Sequence, residues 1–499
     1  MMEEVFEPSP CNEEEQAHHP LLQSTSSINY DPPQSSELKL YRMRPRIPKN
    51  ISKCRIIKNL TVMSFSLFIF FLGFQALANL QSTMNSAKGL GMDSQAAIYA
   101  SSMISALLLP DLMIKRFGCK RTLVSMIICS IPFIAANFYP TWETLMPSSV
   151  LIGFAAGPLS TSQALYINEM SLHYHKQSLS ASLESVMARF YGTFYFFSEN
   201  TQIWGNLISY YVLRPGMVPI RNHSIIPCGI DFHKYGSGNN TNPNLQPPTE
   251  EKRFLLVGIY VACGLLSCLL LGYFVDPLDN DKDTDETSNK CEYVIDRLLS
   301  AVKQTTVPDQ MLLLPLTVFC GMQTAFYTSD FTQAYIACSW GIHHVGFVTI
   351  CFGVCGAIMA VLVGPLVRCI SQMSVLILAA CINVTTCGLL YVWEPTPDNV
   401  TTYFVFAGVW GMADAIWWSQ ITALYGLMFP NDREAAFSNF FFWSFLGFFL
   451  CYSYANYFSV ALKLGILLFF LVTGIICYLI GQIKIKRSPR REYIVIEDE

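Results

Sequence analysis

Two carboxyl groups stand in stretches too apolar to hold them in isolation. Glu199 lies in FYFFSENTQIWGNLISYY (194–211), followed by Asn200 and Gln202, and Asp414 lies in GVWGMADAIWWSQITALY (408–425). A charged carboxylate at the centre of a bilayer costs about 2.5 kcal/mol or more on insertion scales. Such a group faces a protein interior, pairs, or takes up a proton. Neither acid has a Lys or Arg at its own depth: Arg189 is ten residues from Glu199, about 15 Å along a helix. Both are therefore expected to be protonated or bathed in water. Two readings stay open. One is a protonatable pair lining a central cavity, as a proton-coupled carrier needs. The other is two neutral acids hydrogen-bonded to Asn200, Gln202, Gln420 or backbone carbonyls, holding helices together. Gln75 and Asn79, and farther on Gln323 and Asp330, extend a polar lining, with Asp330 expected near an outer helix end and hydrated. No Lys or Arg is placed at mid-membrane, which argues against an anionic solute. The aromatic run FFFW (440–443) and Trp417–Trp418 read as packing or lipid-facing groups rather than a ligand cage.

The elements that must position these residues are membrane helices. Only 14% of the 499 residues are charged and 52% are hydrophobic, against about 25% charged in a soluble chain. Apolar runs of 18 or more residues recur, and about 20 residues cover a ~30 Å hydrocarbon core. Twelve such spans fit between residues 58 and 482. The expected fold is thus an all-α polytopic membrane protein with the bilayer as its first partner. Residues 1–55 are polar, carry no secretory h-region, and read as a disordered cytoplasmic tail. The seventeen cysteines lie mostly inside apolar runs, where they act as small hydrophobes. None has metal-ligand spacing, so no metal and no cofactor is expected. A phosphate-binding loop and a nucleophile elbow are likewise missing, and the chain does not read as an enzyme. The net charge of −4 is mild, and no nucleic-acid partner is expected.

Charge sets the orientation. With both termini cytoplasmic, 25 of the 32 Lys and Arg residues fall on the cytoplasmic side, as the positive-inside rule requires. The sequons at Asn222, Asn239 and Asn399 then lie outside, as N-glycosylation needs. Six spans (56–275), a cytoplasmic linker (276–310) and six more (311–482) make two halves, followed by a cytoplasmic tail (483–499). Within the linker, Val294, Ile295, Leu298, Leu299 and Val302 share one helical face and predict a helix lying on the membrane surface. The halves echo each other. GFAAGPLSTSQALY and GVWGMADAIWWSQITALY each carry paired glycines, Ser-Gln and Tyr, with Ser162–Gln163 and Ser419–Gln420 257 residues apart. The short loops KRFGCKR and VRCISQ repeat at a similar distance. A parallel repeat of six-span halves is the major facilitator architecture. The Gly153–Gly157 spacing reads as a helix-contact signal.

The segment NLQSTMNSAKGLGMDSQAAIYASSMISALLLPDLMIKRFGCK (79–120), with its NLQS end to the first span, GLG and a Tyr-containing second span, resembles the uncoordinated-93 family. ENTQIWGNLIS and the tenth span with its Trp-Gly are similar too, and the likeness runs over about 56–480. It is closer to the A-type members than to the B-type member, whose long acidic C-terminal tail is not seen here. The resemblance implies a major facilitator fold. It also implies a regulatory or accessory role toward a membrane protein, such as a potassium channel, or an escort role in trafficking. The major facilitator loop motif G-x-x-x-D-R-x-G-R-R is only partly kept. Arg116, Gly118, Lys120 and Arg121 match, but Lys115 replaces the acid and Asp111 stands one turn earlier as a candidate substitute.

Other short signals lie in loops and tails. YIVI, from Tyr493 to Ile496, fits a Tyr-x-x-apolar signal bound by clathrin adaptors as an added strand. EEEQAHHPLL ends in a dileucine, Leu21–Leu22. Together they predict cycling between plasma membrane and endosomes or lysosomes. Cys228 and Cys338 are placed in outer loops, one per half, and could be joined by a disulfide.

Overall fold

The structure is a computed structural model of the whole chain. It describes residues 51–85, 90–178, 182–213, 228–232, 249–277, 305–340, 342–396, 399–429, 433–455 and 457–487. Six helices form each half. The first holds α1 (Lys53–Met84), α2 (Leu90–Leu108), α3 (Pro110–Ala136), α4 (Trp142–Lys176), α5 (Leu183–Leu213) and α6 (Glu250–Phe274). The second holds α7 (Pro308–Phe326), α8 (Ile342–Ile370), α9 (Gln372–Val392), α10 (Val400–Met428), α11 (Arg433–Tyr454) and α12 (Val460–Arg487). A short 3-10 turn (Gly229–Asp231) stands between α5 and α6, and α7 runs on into a π-helical stretch, Tyr327–Ala337. With an even number of passes, the described chain ends share one face, here called the terminal face.

Among the described residues, nine helices are long and apolar enough to cross a membrane. The other three are α2, α5 and α10. Their apolarity falls short because they carry polar side chains toward the interior: Ser102, Glu199 and Asp414 are all at least 95% buried. The two halves meet along α5 against α8 and α2 against α11, and α10 and α11 also reach α5 and α4 near the terminal face. These crossings are close. A Cβ on Gly192 of α5 would lie 2.4 Å from the Ala360 carbonyl oxygen of α8. The Gly153–Gly157 pair of α4 lies against α2, with added Cβ atoms 1.9 Å from Ser101 Oγ and 2.6 Å from Ala106 N. Small residues let helix backbones approach where lipid offers no hydrophobic drive to associate.

The internal echo has a backbone counterpart. KRFGCKR is the tight turn between the second and third spans: Gly118, with φ 79° and ψ 160°, divides α3 into two helices, and Thr122 Oγ1 donates back across the turn to Met113 O at 3.2 Å. At the matching place in the second half, Ser371 precedes α9 with φ 75° and ψ 152°. Ser371 is the one described non-glycine residue with positive φ. This region of backbone space belongs almost wholly to glycine, and holding a side chain there costs about 1–3 kcal/mol. Its Oγ accepts from Ser374 N at 3.4 Å, a cap whose loss to glycine costs a few tenths of a kcal/mol. Ser371→Gly is therefore expected to raise the thermal midpoint of the purified protein and Gly118→Ser to lower it, as followed by tryptophan fluorescence on heating. A lower midpoint for Ser371→Gly would contradict the strain.

On the face opposite the termini, Cys228 and Cys338 are joined by a disulfide, Cα to Cα 5.7 Å. The 3-10 turn that follows Cys228 rests on the second half: an added Cβ on Gly229 would meet Pro395 Cδ at 2.8 Å. Residues 1–50, 278–304 and 488–499 lie outside the described set. So do the expected N-terminal tail, the surface helix of the linker, Leu21, Leu22, Asn222, Asn239, Tyr493 and Ile496.

Candidate functional site

A cavity of about 220 Å³ opens between the halves, walled by α1, α2, α3, α4, α5, α7 with its π-helical continuation, α8, α10 and α11. Glu199 and Asp414 both line it, from opposite halves, with their carboxyl groups within hydrogen-bonding reach of each other. Glu199 fits because α8 presents glycine there: a Cβ on Gly356 would lie 2.7 Å from Glu199 Oε2.

Asp414 is clamped. Thr324 Oγ1 donates to its Oδ1 at 2.6 Å, and Gln323 Nε2 donates to the same oxygen. Two tryptophans fix the direction of these bonds. Trp410 Nε1 donates to Gln323 Oε1 at 2.9 Å, which turns the amide NH₂ toward Asp414. Trp418 Nε1 donates to Thr324 Oγ1 at 3.0 Å, which leaves the hydroxyl proton for Asp414. An indole N–H can only donate, so neither bond can reverse.

The structure brings some of the expected residues together and separates others. Gln202 and Gln75 are in the wall, and Gln202 Oε1 accepts from Asn79 Nδ2 at 2.9 Å. Asn200 is not: it sits on another face of α5, and its Nδ2 donates to Phe196 O at 2.8 Å, one turn back. Gln420 is fully buried beside Gln372 and does not reach the cavity. Gln323 and Thr324, rather than Asn200 or Gln420, hold Asp414.

Asp330 is not hydrated. It is 6% exposed and ion-paired with Lys463, a buried cation. The aromatic residues also divide. Trp417 packs, with Nε1 donating to Asn383 Oδ1 at 2.6 Å, whereas Trp418 and Phe441 join the cavity wall. Tyr99, Gln163, Phe445 and Phe448 were missed as wall residues. Gln163 stands in the Ser-Gln echo, but a single helix does not say which of its faces another half will cover.

Charges cluster at the terminal face. Asp111 pairs with Lys115 at 2.6 Å, Lys115 reaches Glu434 of α11 at 3.5 Å, and Arg433 pairs with Glu169 of α4 at 2.6 Å. The last two pairs bridge the halves. Glu184 of α5 makes the reciprocal contact, its Oε1 accepting from Gln372 N at 3.1 Å beside the strained Ser371. An added Cβ on Gly426 of α10 would meet Asn168 Oδ1 of α4 at 2.3 Å, so the halves are closely apposed here. Of the loop-motif cations, Arg116 lies over the Phe117 ring at 5.6 Å and Arg121 is exposed, with Lys120 partly so. Beyond α6, a hydrogen bond from Arg55 holds the Asp276 carboxyl well below the usual carboxylate range. Asn399 is exposed at the start of α10.

Residues 83–479 match the family model described as "Ion channel regulatory protein UNC-93". The chain belongs to the UNC-93 family. Among its relatives is the Xenopus laevis protein unc-93 homolog A, 35% identical over 428 residues, 85% of this chain and 92% of that one. A Caenorhabditis elegans "Putative potassium channel regulatory protein unc-93" is 30% identical over 86% of this chain, which spans 61% of that longer protein. The fold is that of the major facilitators. The human organic anion transporter MFSD10 superposes with a TM-score of 0.58 at 10% identity, covering 87% of this UNC-93 chain and all of the other. At that identity the likeness concerns the fold alone.

Proposed function

We propose that this UNC-93 family chain is a non-enzymatic regulatory partner of an ion channel, with a potassium channel as the best-supported class. The observation that carries this reading is the match to a channel-regulatory family over residues 83–479, joined to the name of the 30% identical relative. The Lys and Arg distribution and the sequons support a cytoplasmic terminal face. The tail signals at Tyr493–Ile496 and Leu21–Leu22 support cycling through endosomes and engagement of clathrin adaptors.

A second reading is a proton-coupled carrier, and one observation favours it: Glu199 and Asp414 meet across the halves in a central cavity. The two readings separate in one experiment. Potassium currents are recorded in cells co-expressing the chain with a panel of potassium channels, and the purified chain alone is tested in liposomes for proton-driven uptake. The regulatory reading expects an altered current for at least one channel and no uptake by the chain alone. Uptake that Glu199→Gln or Asp414→Asn abolishes, with every current unchanged, would replace it by the carrier reading.

A further inference from the structure

We infer that the central cavity is a binding site for a small lipophilic organic cation, an aromatic or aliphatic amine carried as its ammonium ion. This goes beyond the regulatory reading and does not depend on it.

The wall fixes the sign of charge. Among the described lining residues there are two carboxyl groups and no Lys, Arg or His. Two carboxyl groups in contact, away from bulk water, cannot both be ionised without a counter-ion. With no cation in the wall, a proton must stand between them. A bound ammonium ion would supply the missing charge.

The wall also fixes the kind of cation. Eleven of its twenty-seven residues are aromatic. Trp418 and Phe448 stand 6.2 Å apart, centroid to centroid, and Tyr99 is stacked on Phe448 at 4.6 Å. Aromatic faces attract alkylammonium groups, and desolvated pairs gain more than exposed ones. A hard inorganic cation needs several oxygen ligands instead. The neutral oxygens nearest Asp414 are engaged already, Gln323 Oε1 by Trp410 and Thr324 Oγ1 by Trp418.

An independent observation points the same way. Gln163 of α4 lines the cavity, is only 6% exposed, and makes no hydrogen bond to any described residue. Its amide atoms stay open to the cavity rather than buried in the wall. Its carbonyl is available to an N–H of an ammonium ion, and its amide group to a polar end of the same ligand.

The exchange balances simply. The carboxyl pair gives up its shared proton to solvent as the ammonium ion enters, so net charge in the cavity is unchanged. No bond to carbon forms or breaks.

The test uses the purified full chain in detergent and, as a fixed-charge probe, phenethyltrimethylammonium. The comparison ligands are 3-phenylpropionate, 3-phenylpropanol and potassium chloride. Binding is read by calorimetry, and proton release by a pH indicator in weak buffer. The expected result is saturable binding of the cation alone, with about one proton released per cation bound. Glu199→Gln and Asp414→Asn should each weaken it at least tenfold and abolish the proton release. Protonated phenethylamine should bind more tightly than the fixed-charge probe, and Gln163→Leu should remove that advantage. Absence of saturable cation binding to the folded wild-type chain would overturn the inference. Equal binding of the neutral or anionic analogue, or binding without proton release, would do the same. If an acid variant fails to fold, the wild-type ligand series and proton count still decide.

Discussion

Replacing Lys463 with Met is expected to destabilise the folded chain by about 3–5 kcal/mol, the usual result of removing one partner from a buried ion pair. Lys463 is 3% exposed in the first turn of α12, and Asp330 is 6% exposed. The ammonium group also donates to Ala455 O at 2.8 Å, and Ser329 Oγ donates to Asp330 Oδ2 at 3.1 Å. The pair is thus hydrogen-bonded beyond its own contact, but neither charge has water to fall back on. Asp330 belongs to the π-helical stretch of α7. The wider turn changes which side chains face inward, and such turns recur at functional places in helices. Removing the cation alone leaves a bare buried carboxylate. Removing both charges does not, so Lys463→Met with Asp330→Leu should regain most of the loss. The measurement is the thermal midpoint of each variant in detergent, alongside recovery on size exclusion. A single variant as stable as the parent would show that water reaches the pair. A double variant as unstable as the single one would show that Lys463 acts through its stem rather than its charge.

Gly192→Leu should open the contact between the halves. The Cβ alone would stand 2.4 Å from a backbone oxygen of α8 and 3.2 Å from Val363 Cγ1. A backbone oxygen cannot swing aside as a side chain can, so α5 and α8 must separate. Overpacking of this kind costs about 1–3 kcal/mol, and occasionally more. The displacement also carries Glu199, two turns farther along α5, away from Asp414. The expected outcome is a lower thermal midpoint together with faster labelling by a thiol reagent of a cysteine placed at Ser198, which lines the cavity. Unchanged labelling and stability would mean that the crossing tolerates a wider spacing. Gly356→Ala is the milder counterpart, because its Cβ meets the mobile end of Glu199 rather than backbone.

The architecture was legible because hydropathy and charge act locally and additively along the chain. Twelve expected spans, nine of them long and apolar enough by themselves among the described residues, and a repeated Ser-Gln segment were enough for two six-helix halves. That Glu199 and Asp414 belong to the interior was legible for the same reason: the bilayer penalises them wherever else they could point. Their partners were not. Asn200 follows Glu199 directly and so points about 100° away on the helix, and Gln420, six residues past Asp414, points about 120° away. Gln323 and Thr324 come from another helix, and only the packing of α7 against α10 brings them to Asp414. Asp330 was misread because its cation lies 133 residues away. Trp418 and Trp417, adjacent in the chain, divide between cavity and core, a distinction no composition can express. Gly118 and Ser371 show the limit from the other side: the loops were seen to repeat, but their shared backbone conformation was hidden by the change of residue.

The disulfide turns part of this chain into a closed ring. From Cys228 the covalent path runs through α6, the 278–304 segment and α7 to Cys338, and back across the sulfur bridge. The two halves are therefore fastened twice, by peptide at the terminal face and by sulfur at the opposite one. A protease that cuts within 278–304 would not part them. The cut protein would remain one covalent object, migrating as a single band until a reductant releases two.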